Sequence, residues 1–150
     1  GNLSRGDDAL GPLLLAYAER HCDLDDVEIL TDFQLQIEHA LDLENRRLVL
    51  FVYASVACVN AFDFTVLEPV RDKSYTTHAM SPAAVLDVYQ SIKKQTPPPC
   101  FLLSIKADKF ELGDGLSANA ENNLAEACRF AERLLSNQDP VFWRKQARPA

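Results

Sequence analysis

Carboxylate and imidazole side chains are the residues of this sequence whose types and spacing could support metal chemistry. Asp7 and Asp8 stand together in GNLSRGDDALG, and His78 stands in TTHAMSP, just ahead of a predicted helix. Carboxylate plus imidazole suits a borderline divalent metal such as nickel, zinc or manganese. Taken singly, paired acids more often cap a helix, and a loop histidine is more often solvated. Spacing alone leaves both interpretations open.

Other common active-site patterns are missing from the sequence. There is no G-x-S-x-G elbow for a serine nucleophile, and the glycines of the opening segment do not form G-x-G-x-x-G. Four cysteines (Cys22, Cys58, Cys100 and Cys128) stand singly, with no C-x-x-C pair, which favours free thiols over a zinc site or a disulfide framework. Cys58 follows a predicted strand without an evident base, so packing is its expected role.

Composition restricts the class of protein further. A chain of 150 residues with 47% hydrophobic content is the usual size of one domain, and we expect a single domain over residues 1–150. The net charge of -7 argues against a nucleic-acid partner held through phosphate contacts. No apolar run approaches the ~18 residues that a membrane span needs, and no signal peptide opens the sequence. We therefore expect a cytoplasmic protein that binds neither membrane nor nucleic acid.

The elements that must position these residues alternate between strand and helix patterns. Continuous apolar runs or short apolar alternations predict extended segments over residues 26–32, 46–55, 63–70 and 97–107. Helical spacing, with Ser81 and Pro82 as a start signal for the third helix, predicts helices after Asp8 and over residues 34–44, 81–94 and 116–136. The tail from residue 137 has no clear period.

This alternation predicts an α/β fold of three layers, with helices on both faces of a mostly parallel, twisted sheet. Within RRLVLFVYAS, the run LVLFVYA over residues 48–54 is continuously apolar, as in a strand covered on both faces. The sequence opens on the loop GN, where such folds normally have a preceding strand, so we expect the first strand to be missing or truncated. Ligands of open α/β sheets bind outside the carboxyl ends of the strands. The site is therefore expected at that edge.

Taken in order, these segments resemble the hydrogenase maturation endopeptidases, which trim the C-terminal extension from the large subunit of nickel–iron hydrogenases. The resemblance runs from GNLSRGDDALGP through VEILTDFQLQIEHALDL, RLVLFVYAS and THAMSP to FELGDGLS and the last helix. It covers nearly the whole chain. The family implies a five-stranded twisted sheet between helices.

The resemblance also implies a set of site residues. The acid that follows the family's first strand matches Asp8, and the histidine ahead of a helix matches His78. The aspartate at a later strand end falls on Tyr53, because this chain reads VYAS where the family reads VDAS. The family's DGGT-type turn is replaced by TDFQLQIE, so Asp32 stands in only loosely for its acid. The implied metal ligands are thus Asp8, Tyr53 and His78, and the implied catalytic acids are Asp8 and Asp32.

By resemblance, the partner is the precursor of a nickel–iron hydrogenase large subunit, and nickel arrives already bound in that precursor. Another divalent metal is also compatible with the implied ligands. A tyrosine phenol has an unperturbed pKa near ~10, against ~3.9 for aspartate, so Tyr53 is expected to be a poor ligand and to impair turnover. Two alternatives stay open: a non-catalytic protein that binds the precursor without cutting it, and an unrelated α/β ligand-binding domain.

Overall fold

The computed structural model describes residues 9–30, 35, 37–70, 80–108 and 116–148. Its helices and strands follow one another along the chain as α1 (Leu10–His21), a 3₁₀ helix (Ile37–Leu43), β1 (Val49–Ser55), β2 (Phe62–Val66), α2 (Pro82–Lys93), β3 (Cys100–Lys106), α3 (Ala118–Ser136) and α4 (Pro140–Gln146). No helix among these residues is long and apolar enough to cross a membrane.

Local hydrogen bonds explain where α2 and α3 begin. The Ser81 hydroxyl accepts a hydrogen bond from the Ala84 N–H at 3.1 Å, and Pro82 occupies the first turn, as the sequence predicts. Ser117 caps α3 in the same way, accepting from the Ala120 N–H at 3.1 Å. Each cap satisfies a backbone donor that the first turn of a helix leaves without a partner.

The described strands form one mixed sheet in the order β1-β3-β2. β1 and β3 are parallel, with Val49 opposite Cys100 and Tyr53 opposite Ser104. β2 pairs antiparallel with the other edge of β3. Of the two pairings in the described sheet, only one is therefore parallel.

Helices cover both faces of this sheet, which confirms the three-layer α/β/α arrangement. On one face, α1, α3 and α4 surround a core that includes Leu10, Phe101 and Trp143. On the other face, α2 and the 3₁₀ helix pack around Val85 and Leu86. Successive residues of β1 point to opposite faces, because side chains alternate along a strand: Leu50 and Val52 belong to the first core, and Val49 and Phe51 to the second.

Two predicted elements differ from the structure. The strand predicted over residues 26–32 is wrong where it can be compared, because Val27–Leu30 adopt no regular structure. A strand needs a hydrogen-bonded neighbour, and the described residues provide none beside this segment. The helix predicted over residues 34–44 is a shorter 3₁₀ helix. The described residues begin at Ala9, so the missing or truncated first strand stays a prediction.

The tail, which has no clear period in the sequence, contains the short helix α4. The Asp139 carboxylate caps it by accepting from the Val141 N–H at 2.9 Å, and Pro140 occupies its first turn. Trp143 is buried, and its indole N–H donates to the Leu134 carbonyl at 2.9 Å and the Asn137 carbonyl at 2.8 Å. Tertiary burial of one large side chain therefore orders a segment that local periodicity did not reveal.

Candidate functional site

Tyr53 lies in the carboxyl-terminal half of β1, opposite Ser104 of β3. Side-chain alternation places it on the same face of the sheet as Phe51, which packs towards α2 and the 3₁₀ helix. The residue is half-buried, and burial raises the pKa of the Tyr53 phenol above its ordinary value. The charged form is disfavoured because it would lose hydration. At neutral pH, Tyr53 is thus a neutral phenol and not an anionic ligand.

The turn that follows β1 contains a cysteine held as a thiol. The Ser55 hydroxyl accepts from the Ala57 N–H at 3.2 Å, and the Cys58 thiol donates to the Ser104 carbonyl at 3.7 Å. Burial, followed by the nearby Asp63 carboxylate, raises the pKa of Cys58. The thiolate is the reactive form of cysteine. Cys58 is therefore not an activated nucleophile. All four cysteines are free thiols, as predicted.

Asp8, Asp32 and His78 lie outside the described residues, so their positions and their convergence with Tyr53 stay predictions. Described residues close to them in sequence do approach β1 and one another. The Met80 N–H donates to the Leu35 carbonyl at 3.1 Å, and Met80 shares an apolar cluster with residues of β1. Gly11 of α1 is so close to β1 that a Cβ atom added there would lie 3.3 Å from the Val52 carbonyl oxygen.

The donor groups of the described residues do not suit a bound metal ion. Among these residues, no three histidine, cysteine or carboxylate side chains come together to hold a metal ion. Of the three implied ligands, the structure describes Tyr53, whose neutral phenol is a weak donor. The described part of the chain thus does not by itself make a metal site.

A cavity of about 550 Å³ opens along the edge of β1 that does not face β3. It is enclosed by α1, by residues 26–30, by the 3₁₀ helix and by β1 itself, with Tyr53 at one end of the β1 wall. This feature was not predicted from the sequence. The apolar run of residues 48–54 gives no signal for it, because such a run indicates a strand covered on both faces and carries no information about the edges of that strand.

Comparison with known proteins gives a match of fold without a close match of sequence. No protein-family model matches the chain, and no curated protein does. Among solved structures, the hydrogenase maturating endopeptidase HybD from Escherichia coli matches with a TM-score of 0.71 and 22% sequence identity, covering 92% of this chain and 89% of that one. The NiFe hydrogenase maturation protease HycI from Thermococcus kodakarensis matches with a TM-score of 0.69 and 21% identity, covering 91% and 88%.

A third match is an endopeptidase from Escherichia coli determined in solution, with a TM-score of 0.65 and 24% identity over 91% of this chain and 90% of that one. The fold is therefore α/β of the class found in hydrogenase maturation proteases. The resemblance drawn from the sequence motifs is confirmed at the level of this fold.

Proposed function

We propose that this protein recognises the precursor of a nickel–iron hydrogenase large subunit and acts as an endopeptidase on its C-terminal extension, with turnover impaired by Tyr53. The observation that carries this proposal is the fold match, which extends over about nine-tenths of this chain and of the HybD and HycI structures. Those neighbours are described as maturation proteases. The ordered motifs of the sequence support the same activity for this chain.

In this proposal, Asp8 and His78 face the nickel that the precursor carries, and Asp8 and Asp32 are the carboxylates that act on the scissile peptide. Nickel is part of the substrate, although another divalent metal could bind the same ligands. A bound metal would orient the scissile bond and polarise its carbonyl, or activate a water. The protein's own contribution is to place the carboxylates and the imidazole at the carboxyl edge of the sheet. We propose that this reaction takes place in the cytoplasm.

The neutral phenol of Tyr53 supports the proposal that turnover is impaired. Its position in β1 matches the strand-end position that the family resemblance assigns to an aspartate. The phenol is neutral at pH 7 because of its ordinary pKa near ~10, and burial raises that pKa further, so one anionic donor is lost from the proposed set. The same observation favours the second candidate function, a precursor-binding protein that does not cleave. The two candidates share the partner and differ in the chemical step.

A cleavage assay separates the two candidates. The protein is incubated with nickel-loaded precursor, and trimming of the large subunit is followed by its change in size. Slow trimming supports an impaired endopeptidase, whereas binding of the precursor without trimming supports the non-catalytic alternative. If the precursor neither binds nor is cut, the proposed partner is wrong.

Calorimetry with nickel or cadmium tests the proposed ligands directly. Asp8→Ala and His78→Ala should each weaken divalent binding, because each removes one donor from the set. His39→Ala is a matched control, since this histidine lies on the 3₁₀ helix and is not among the proposed ligands. Unchanged affinity in both test variants would remove the metal assignment from these residues.

A further inference from the structure

The turn between β1 and β2 exposes apolar side chains at the carboxyl end of β1. Val56 is 60% exposed and Val59 is 86% exposed, which makes Val59 the most exposed large apolar side chain among the described residues. Ala57 between them is exposed too. Single exposed apolar residues are normal on a protein surface, whereas contiguous ones mark interaction sites. Because the turn directly follows the strand that contains Tyr53, this apolar surface adjoins the candidate site.

Hydrogen bonds hold this turn in one shape. The Ser55 hydroxyl accepts from the Ala57 N–H at 3.2 Å, and the Cys58 thiol donates to a backbone carbonyl of β3 at 3.7 Å. At the end of the turn, the Ala61 carbonyl accepts from the Lys106 N–H at 2.9 Å. A surface that is already ordered loses little conformational entropy when it binds a partner. The fixed turn therefore presents its valines in a form suited to binding.

Lys106 adds a positive charge to the same turn. It is the last residue of β3, and its Nζ lies 3.4 Å from the Val59 carbonyl oxygen, a long hydrogen bond. The Lys106 backbone is fixed on two sides, because its N–H donates to Ala61 and its carbonyl accepts from the Asn123 side-chain amide at 3.1 Å. A lysine ammonium has three donors. The fold thus sets the position of Lys106, while its ammonium keeps donors for a partner.

No described carboxylate forms an ion pair with Lys106. The ion pairs printed by the described side chains involve other basic residues. Asp63 of the adjacent strand β2 lies opposite Ser104, on the same face of the sheet as Lys106. Both oxygens of Asp63 accept hydrogen bonds from the Arg148 guanidinium, a strong bidentate arrangement. In a chain of net charge -7, Lys106 is therefore a local positive charge that favours a partner carrying a carboxylate.

We call Val56, Ala57, Val59 and Lys106 the turn surface. We propose that the turn surface docks the precursor of the hydrogenase large subunit, through a segment that carries an apolar side chain next to a carboxylate. The exposed valines contact the apolar side chain, and Lys106 pairs with the carboxylate. The identity of this partner rests on the proposed function, whereas the chemistry of the segment follows from the turn itself. A segment bound here lies beside the carboxyl end of β1, where cleavage is proposed.

A second copy of this chain fits the turn surface less well than a different partner does. A two-fold contact brings the same residues of two copies together. At the turn surface it would place one Lys106 ammonium close to the other, and like charges across an interface oppose binding. We therefore expect the protein alone to sediment as a monomer. A dimer that Val59→Ser dissociates would assign the turn surface to self-association and overturn the proposal.

A serine substitution in the turn tests its apolar part. Calorimetry measures binding of the nickel-loaded precursor, which Val59→Ser should weaken about tenfold, because a central apolar contact of the interface is lost. The matched control is Val141→Ser. Val141 is 58% exposed but belongs to α4, which follows the far end of α3, whereas Lys106 contacts Asn123 in the first half of α3. The control should change the affinity by less than about twofold. Equal effects of the two substitutions would rule out docking by the turn.

Substitutions at Lys106 test the charged part. Lys106→Arg keeps the positive charge and should bind the precursor normally. Lys106→Glu should weaken binding at least about tenfold at low salt, because it sets two carboxylates against each other. The difference should shrink as the salt concentration rises, since salt screens exposed charges. Lys145→Glu is the matched control, because it changes the net charge equally at an exposed position of α4. If Lys145→Glu weakens binding as much, the effect comes from net charge and the assigned pair is wrong.

Charge exchange identifies the carboxylate. Acidic residues that flank the cleavage site of the precursor are changed to lysine one at a time, and each precursor variant is measured with Lys106→Glu. One exchange should recover about tenfold in affinity, because it restores an opposite-charge pair that neither single variant can form. If no exchange restores binding, Lys106 does not pair with a precursor carboxylate, and the proposal is contradicted.

These outcomes separate the turn surface from the proposed function. If every turn variant binds and trims the precursor as the unchanged protein does, the docking surface is wrong and the proposed function stands. If the unchanged protein binds no precursor, the proposed function is wrong, and the occupant assigned to the turn surface fails with it. Thermal melting of the Val59→Ser variant should match that of the unchanged protein, because the side chain that it replaces is exposed. A loss of binding at an unchanged melting temperature is therefore the expected result.

Discussion

Replacing Tyr53 by aspartate should restore the anionic donor that the proposed site lacks. The perturbation places a carboxylate where the structure holds a half-buried, neutral phenol. The natural comparison is Tyr53→Asn, which has the same size and removes the same ring but carries no charge. Any difference between the aspartate and asparagine variants therefore reports the carboxylate alone.

The expected magnitude follows from burial. An ionised carboxylate in this position without a partner should destabilise the metal-free protein by ~1–3 kcal/mol relative to Tyr53→Asn, because burying a charge costs more than burying a neutral amide. At about 2–4 °C per kcal/mol for a domain of this size, the melting temperature should fall by roughly 2–12 °C. Burial raises the pKa of such a carboxyl above its unfolded value. The penalty is therefore absent below the unfolded pKa of ~3.9, grows as the pH rises towards the raised folded-state pKa, and is complete above it.

Nickel should reverse this penalty if Asp8 and His78 complete the site. At free nickel one hundred-fold above the dissociation constant, binding to the native state contributes ~2.7 kcal/mol, which offsets most of the loss. The assay is thermal melting of both variants with chelator and with nickel, beside the precursor-cleavage assay. Tyr53→Asp should gain stability from nickel and cleave more precursor, and Tyr53→Asn should do neither. If the aspartate variant neither binds nickel more tightly nor cuts faster, residue 53 is not a ligand position.

Three further predictions concern the scaffold. Ser81→Ala should destabilise the protein by ~1 kcal/mol, because it removes the cap of α2. Ser91→Ala, inside the same helix, should be neutral or slightly stabilising. Urea unfolding measures the stability of both variants, and equal effects would contradict the capping role of Ser81. Trp143→Phe keeps a ring in the core but removes the donor to the Leu134 and Asn137 carbonyls, so chemical denaturation should show a loss of ~1–3 kcal/mol. Burial raises the pKa of Cys100 to about 12, so its contribution to stability is complete below the unfolded thiol pKa of ~8.5 and is lost as the pH rises towards the folded value. Cys100→Ala should flatten this alkaline decline in stability, and an unchanged slope would show that another group causes it.

Several elements of the fold could be predicted because their signals are local. Ser81 and Pro82 mark the start of α2 through a cap and a fixed backbone angle, both set within one turn of chain. The apolar runs that become β1 and β3 are recognisable because strands inside a three-layer fold are covered on both faces. The motif order also led to the fold class that the structural neighbours share.

Pairing between distant segments could not be predicted in the same way. Val27 and Ile29 have the composition of a strand, yet residues 27–30 form none in the structure, because a strand exists only where a neighbour supplies hydrogen bonds. The direction of β2, antiparallel to β3, is likewise set by the path of the chain between them. The burial of Trp143, which orders α4, depends on α3 and the sheet rather than on residues 137–148.

At the candidate site, the sequence by itself determined that a tyrosine stands at position 53, and its motifs predicted a ligand position there through the resemblance to the hydrogenase maturation endopeptidases. The ordinary phenol pKa near ~10 already implied a neutral side chain at pH 7, but the sequence could not determine how far burial shifts that pKa, because the shift depends on how much hydration the folded chain removes. Only the tertiary structure placed Tyr53 half-buried in β1 and thereby raised its pKa. The same structure showed the cavity along β1, at an edge that no described strand pairs. The arrangement of strands decides which edge is left without a described neighbour, and no single stretch of sequence encodes it.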